Sequence, residues 1–225
     1  MRCEAGVFHG RCATSARHAS RLFALADDEL LGVLLASGRI DSESVRCARE
    51  LLDRCGGLDL LLGVSLPMLR SLGLRDSQAS ALLATWEIAC RLARQRVPRQ
   101  DPLNGLDELA RFLLLRYHQR DQEVMGALFL SVRGRLLGDK EIFRGTLHRA
   151  AVEPREILKE CLSRRAGGFV LFHTHPSGDP TPSDEDLQFT WRMAQAAVIV
   201  GVELVDHLVL GATGRWVSLQ ALGRW

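Results

Sequence analysis

The sequence predicts an all-helical domain over residues 1–97 followed by an α/β domain over residues 103–225. Three observations carry this expectation. Apolar residues recur at helical spacing as far as residue 97. The stretch Pro98-Arg99-Gln100-Asp101-Pro102 then interrupts the periodicity with two prolines among polar neighbours. Beyond it, short apolar runs bounded by glycine alternate with helical patterns, as in an α/β layer structure.

The elements follow in order. Residues 1–20 are polar and rich in Arg, Ser and Ala, and suggest a loose arm or a short helix. Asp27-Asp28-Glu29 put acids where a helix start favours them, ahead of Leu30, Leu31, Val33, Leu34 and Leu35. Val45, Ala48, Leu51 and Leu52 mark a second helix, stopped by Gly56-Gly57. Residues 78–95 form a longer helix, and another covers 105–117. The run from Glu123 to Val132 has the composition of a buried strand, and Arg133-Gly134 turn it into a hairpin with Arg135-Leu136-Leu137. A helix at 154–166 precedes the apolar strand Phe169-Val170-Leu171-Phe172. A helix over 183–200 places Leu187, Trp191, Ala194 and Val198 on one face, and strands near 203–210 and 215–218 end the chain.

Bulk properties narrow the function classes. At 225 residues the chain can bury at least one sizeable core, and its 47% hydrophobic and 25% charged content is that of an ordinary globular protein. A net charge of +2 demands neither nucleic acid nor an anionic membrane as partner. Six scattered cysteines (3, 12, 47, 55, 90 and 161) include no Cys-x-x-Cys pair, which argues against a zinc ribbon or a disulfide scaffold and for buried free thiols. The N-terminal residues lack the apolar core of a signal peptide, and no run reaches the ~20 apolar residues of a membrane span. A cytoplasmic location is the expectation.

The chemistry concentrates in one segment, His173-Thr174-His175-Pro176-Ser177-Gly178-Asp179-Pro180-Thr181-Pro182-Ser183-Asp184-Glu185-Asp186. Strand alternation lets His173 and His175 present both imidazoles to one side. Two converging nitrogens suit zinc, which takes His at ~2.0 Å in a tetrahedral shell. Pro176 halts the strand and Gly178 permits a sharp turn, so that a carboxylate in the first turn of the next helix can fold back as a third ligand. Three protein ligands leave the fourth position open for water, as a catalytic site requires. Bland readings exist for each piece. Ser183-x-x-Asp186 fits a capping box, and Thr181 can equally cap a helix with Pro182 at its first position.

The string His-x-His-Pro-x-Gly with a downstream Pro-Ser-x-x-Asp resembles the metal motif of JAMM/MPN+ domain metalloproteases, and most of all the bacterial RadC family. The resemblance runs over residues 103–225 and includes Glu123-Val124, Arg144-Gly145-Thr146, Pro154-Arg155-Glu156 and Asp206-His207. Thr174 stands where RadC relatives usually carry Asn. The resemblance implies an MPN (JAMM, cytidine-deaminase-like) α/β fold, with Zn2+ held by His173, His175 and Asp186. It implies that Ser183 hydrogen-bonds the developing oxyanion and that a Glu from an upstream strand is the general base. Glu123 matches that position, with Glu141 and Glu156 as competitors. Asp179, Asp184 and Glu185 suit solvated or helix-dipole roles. Asp206-His207 suits a structural hydrogen bond within the sheet, the alternative being an acceptor behind a ligating histidine. Cys161 suits the core.

In the helical part, the segment from Leu69 to Ala79 resembles the helix-hairpin-helix of RadC relatives. Arg75 replaces the second glycine of its Gly-x-Gly turn, which compromises close backbone approach to a phosphate. Three functions follow as expectations. They are a zinc metallohydrolase acting on a peptide or protein substrate, a DNA-associated repair or recombination factor, and a scaffold without activity. The intact donor set favours the first.

Overall fold

The computed structural model describes residues 22–39, 41–61, 64–98, 102–117, 122–145, 153–211 and 214–224. The expectations for residues 1–20, for Thr146 and for the middle of the 98–102 break lie outside them.

Regular structure among the described residues up to 98 is helical: α1 (Asp27–Leu35), α2 (Ser42–Cys55), α3 (Leu58–Leu61), α4 (Leu66–Ser71) and α5 (Asp76–Arg96). The start of α1 carries Asp27, Asp28 and Glu29, and the Glu29 carboxylate accepts from the Ala26 amide at 3.0 Å. Asp41 caps α2 by accepting from the Ser44 amide at 2.8 Å, and Gly56 closes that helix with a left-handed φ of 84°. Leu31, Leu35, Ala48, Leu51, Leu69 and Leu82 pack into one apolar cluster. The long α5 belongs to two cores, since its Ala93 and the Val97 that follows it reach the cluster built on α6 (Leu106–Tyr117).

The remainder is a five-stranded mixed sheet, β1 (Glu123–Leu130), β2 (Leu136–Gly145), β3 (Gly168–Thr174), β4 (Glu203–Leu210) and β5 (Trp216–Ser218), with spatial order β2-β1-β3-β4-β5. β1 is antiparallel to both β2 and β3, β3 is parallel to β4, and β4 is antiparallel to β5. The parallel pair requires a crossover, supplied by α8 (Asp184–Ile199), while α7 (Pro154–Ser163) joins β2 to β3. Alternation along β1 and β3 separates two cores. Met125, Ala127, Phe129, Phe169 and Leu171 face α7 and α8, whereas Val124, Leu128, Val170 and Phe172 face α6. Both faces of β1 and β3 are therefore buried, which explains why their sequences read as continuous apolar runs.

One expectation is sharpened and one is corrected. The face of α8 that meets the sheet carries Asp186, Phe189, Thr190, Met193 and Ala197. Trp191 and Val198 of the stripe Leu187, Trp191, Ala194 and Val198 are 57% and 76% exposed, whereas Ala194 is half-buried against the core. This helix carries apolar residues on two sides, and periodicity alone does not tell which side the sheet takes. The cysteines also divide: Cys90 and Cys161 are buried and Cys55 is half-buried, but Cys47 is exposed. Burial pushes the Cys161 thiol up to about 12, as befits a core residue.

Gly126 sits at an irregularity of the β1–β2 pairing and is crossed by the ring of Phe172. A Cβ there would lie 2.4 Å from Phe172 Cζ and 2.5 Å from the Lys140 carbonyl oxygen. Gly126→Ala is expected to cost about 1–3 kcal/mol through overpacking, read as a lower urea midpoint at unchanged m-value.

Candidate metal centre

The centre forms where β3 leaves the sheet. His173 lies within the strand and is fully buried, held by pairing of β3 with β1 on one side and β4 on the other. His175 follows the strand end, yet its amide still donates to the Leu210 carbonyl at 2.8 Å, so it keeps the direction of the sheet. A turn then closes with the Gly178 amide donating to the His175 carbonyl at 2.9 Å, and Gly178 takes φ 79°. This left-handed residue reverses the chain over the histidines.

Ser183 caps α8, and the expected capping box is present. The Ser183 amide and hydroxyl each donate to Asp186 Oδ2 at 2.7 Å, and Ser183 Oγ accepts from the Asp186 amide at 3.3 Å. The box thereby aims the Asp186 carboxylate. His173 Nε2 lies 2.9 Å from Asp186 Oδ1 and 2.9 Å from His175 Nε2, and His175 Nε2 lies 3.6 Å from Asp186 Oδ2. Two imidazole nitrogens and a carboxylate oxygen, all within 4.8 Å of one another, can hold a metal ion. A tetrahedral ion with donors at ~2.1 Å separates them by about 3.4 Å, close to this spread. Burial alone would push the Asp186 carboxyl up. Its contacts with the His173 and His175 rings and the hydrogen bonds from Ser183 outweigh it and hold the group far below the ordinary carboxylate range. The His175 ring is shifted up by its contact with Asp186, against the opposing effect of burial.

Glu123 opens β1. Met125 pairs with His173, so the same antiparallel register continued by two residues sets Glu123 opposite His175. Its charge reaches the His175 ring, and its Oε2 is buried with no hydrogen-bond partner among the described residues. A buried carboxylate oxygen of that kind is a candidate for a catalytic role. The competitors lie elsewhere: Glu141 is bound to Arg144 at 2.6 Å, and Glu156 pairs on the surface with Arg155 at 3.5 Å. Thr174 ties β3 to the beginning of β1, its Oγ1 accepting from the Val124 amide at 2.9 Å.

The remaining candidates sort clearly. Asp184 and Glu185 are exposed in the first turn of α8. Asp179 bonds Thr181 through its side chain, and its carbonyl faces His175 Nδ1 at 2.7 Å. Asp206 and His207 divide the two roles foreseen for them. Asp206 is structural, accepting from Ser218 Oγ at 2.7 Å and from the Gln220 amide at 3.1 Å. His207 stands directly behind His173, with Nε2 at 2.8 Å from His173 Nδ1, and its own Nδ1 lies 2.6 Å from Thr190 Oγ1. Thr190 escaped notice in the sequence, although its position four residues after Asp186 puts it on the same helical face. At the α4–α5 connection, Gly73 takes φ 97°, Arg70 is paired with Asp76 at 2.7 Å, and Arg75 Nε bonds Gln78 at 3.2 Å. No helix of the described residues is long and apolar enough to cross a membrane.

A mixed five-stranded sheet with helices on both faces, and a His-His-Asp cluster at a strand end that can hold a metal, defines a JAB/MPN-like α/β domain. The model of the RadC-like JAB domain matches residues 103–224. Over 200 residues the chain is 38% identical to a UPF0758 protein of Xanthomonas campestris pv. campestris (strain 8004) and 34% identical to one of Geobacillus sp. (strain WCH70), covering 88% of each chain in both cases. A UPF0758 protein of Chloroflexus aurantiacus (strain ATCC 29366 / DSM 635 / J-10-fl) is 35% identical over 201 residues, covering 89% of this chain and 87% of its own. The chain belongs to the RadC family.

Thr174→Val removes the acceptor of the buried Val124 amide and is expected to cost about 1–3 kcal/mol. Thr174→Ser should stay within about 1 kcal/mol of the parent, both read from urea unfolding.

Proposed function

We propose that the chain is a zinc-dependent hydrolase that cleaves an amide bond in a peptide or protein, of the peptidase or isopeptidase class. The observation that carries this reading is the convergence of His173 Nε2, His175 Nε2 and Asp186 on one point, with Glu123, whose buried Oε2 has no hydrogen-bond partner among the described residues, set opposite His175. His173, His175 and Asp186 would hold the ion. A bound zinc supplies Lewis acidity and lowers the pKa of a coordinated water toward ~7.

The chain's own residues supply the rest. Glu123 accepts a proton from the attacking water and delivers it to the leaving amine, a transfer worth about 10²–10⁴-fold in rate. Burial of its Oε2 shields that oxygen from bulk water. Ser183 donates to the developing oxyanion after its hydroxyl turns from Asp186 Oδ2, a carboxylate oxygen that the Ser183 amide continues to hold. Asp186 thus stays aimed while the hydroxyl is engaged.

Purified protein is expected to carry about one zinc per chain by elemental analysis. His173→Ala and Asp186→Ala should lose it, and full occupancy in both would overturn the ligand assignment. Glu123→Gln should keep the metal while cleavage of a peptide library falls by about 10²–10⁴-fold; undiminished cleavage would assign the base elsewhere.

A further inference from the structure

We infer that Thr190 and His207 are positioning residues of the metal centre, which fix the proton of His173 on Nδ1 and so keep its Nε2 bare for the ion. The inference rests on the metal-binding reading above. The hydrogen bonds assign the protons in sequence. Thr190 Oγ1 lies 2.6 Å from the Asp186 carbonyl, which can only accept, so the single hydroxyl proton goes there. Toward His207 Nδ1, also at 2.6 Å, the same oxygen must therefore accept, so Nδ1 is the protonated nitrogen of a His207 ring that carries a single proton. His207 Nε2 is left as a lone pair aimed at His173 Nδ1 at 2.8 Å, which must donate to it. The other nitrogen of His173 then presents its lone pair to His175 Nε2 and Asp186 Oδ1, each at 2.9 Å.

His175 reaches the same state by an independent route, because its Nδ1 faces the Asp179 carbonyl at 2.7 Å and must donate. Two bare nitrogens and a carboxylate oxygen pointing at one another suit a cation held between them. The chain behind His173 also begins and ends at Asp186, its last step being a contact and not a hydrogen bond. It starts at the Asp186 carbonyl, passes through Thr190 and His207 to His173, and returns to the Asp186 carboxylate. His173, Thr190 and His207 are fully buried and Asp186 nearly so, so no bulk water replaces a missing member. A backbone carbonyl behind a ligating histidine fixes the tautomer by itself. An imidazole in that place does so only if its own proton is fixed, and that is the task of Thr190.

Without the Thr190 hydroxyl, the His207 proton is free to move to Nε2. It would then donate to His173 Nδ1 and drive the His173 proton onto the metal-binding nitrogen. Thr190→Val is therefore expected to weaken zinc binding by about 10–100-fold, measured by competition with a chromophoric chelator. Thr190→Ser should bind within about threefold of the parent, because a Ser hydroxyl can make the same two bonds. Ring ¹⁵N spectra of the zinc-loaded parent protein should place the His207 proton on Nδ1. Parental affinity in the Val variant, equal loss in the Val and Ser variants, or a His207 proton on Nε2 would each overturn the inference while leaving the metal site standing. A parent protein that takes up no zinc overturns the metal reading and this inference together. If the Val variant does not fold, the Ser variant and the parental spectrum still decide.

Discussion

His173 is gripped at both ring nitrogens, and the geometry of the whole centre is measured from it. Its backbone is paired on both sides, to β1 and to β4, so it has less freedom than a residue on a loop or an edge strand. His175 follows two residues on, Glu123 faces it through the β1–β3 register, and Asp186 returns to it by way of one turn and a helix cap. Each of these placements inherits the rigidity of a strand with a filled core on either face.

The arrangement runs against simple burial energetics. Asp186 and His173 lie out of water, and an isolated buried charge is strongly unfavourable unless paired and hydrogen-bonded. Here the carboxylate receives the Ser183 amide and hydroxyl and lies against the two imidazoles, which is how it remains ionised. The opposing stability comes from the apolar packing of Phe129, Phe169, Phe172 and Phe189 around the sheet. A polar pocket held inside such a core concentrates charge where a reaction needs it.

Much of this was legible in the sequence, for identifiable reasons. β1 and β3 are apolar on both faces, so composition revealed them, and helices α1 and α2 announced themselves through acids, apolar spacing and a closing glycine. The His-x-His spacing and Ser183-x-x-Asp186 are local patterns, visible without knowledge of the fold. What stayed hidden depends on pairing between distant segments. Nothing local shows that β4 lies parallel to β3 with His207 level with Leu171, and only that register brings His207 behind His173. Which side of α8 meets the sheet was hidden for the same reason, since Trp191 and Val198 are apolar yet exposed.

The double duty of Asp186 bears on how the protein matures. Its carboxylate closes the cap of α8 through Ser183, and its main-chain carbonyl anchors Thr190, both by contacts internal to the chain. The donors are thus assembled by folding itself, unlike small zinc modules in which the ion must nucleate the fold. Loading can then follow synthesis as a separate event, with little conformational entropy left to lose. Occupancy in the cell would accordingly track the supply of metal, while the amount of folded protein would not.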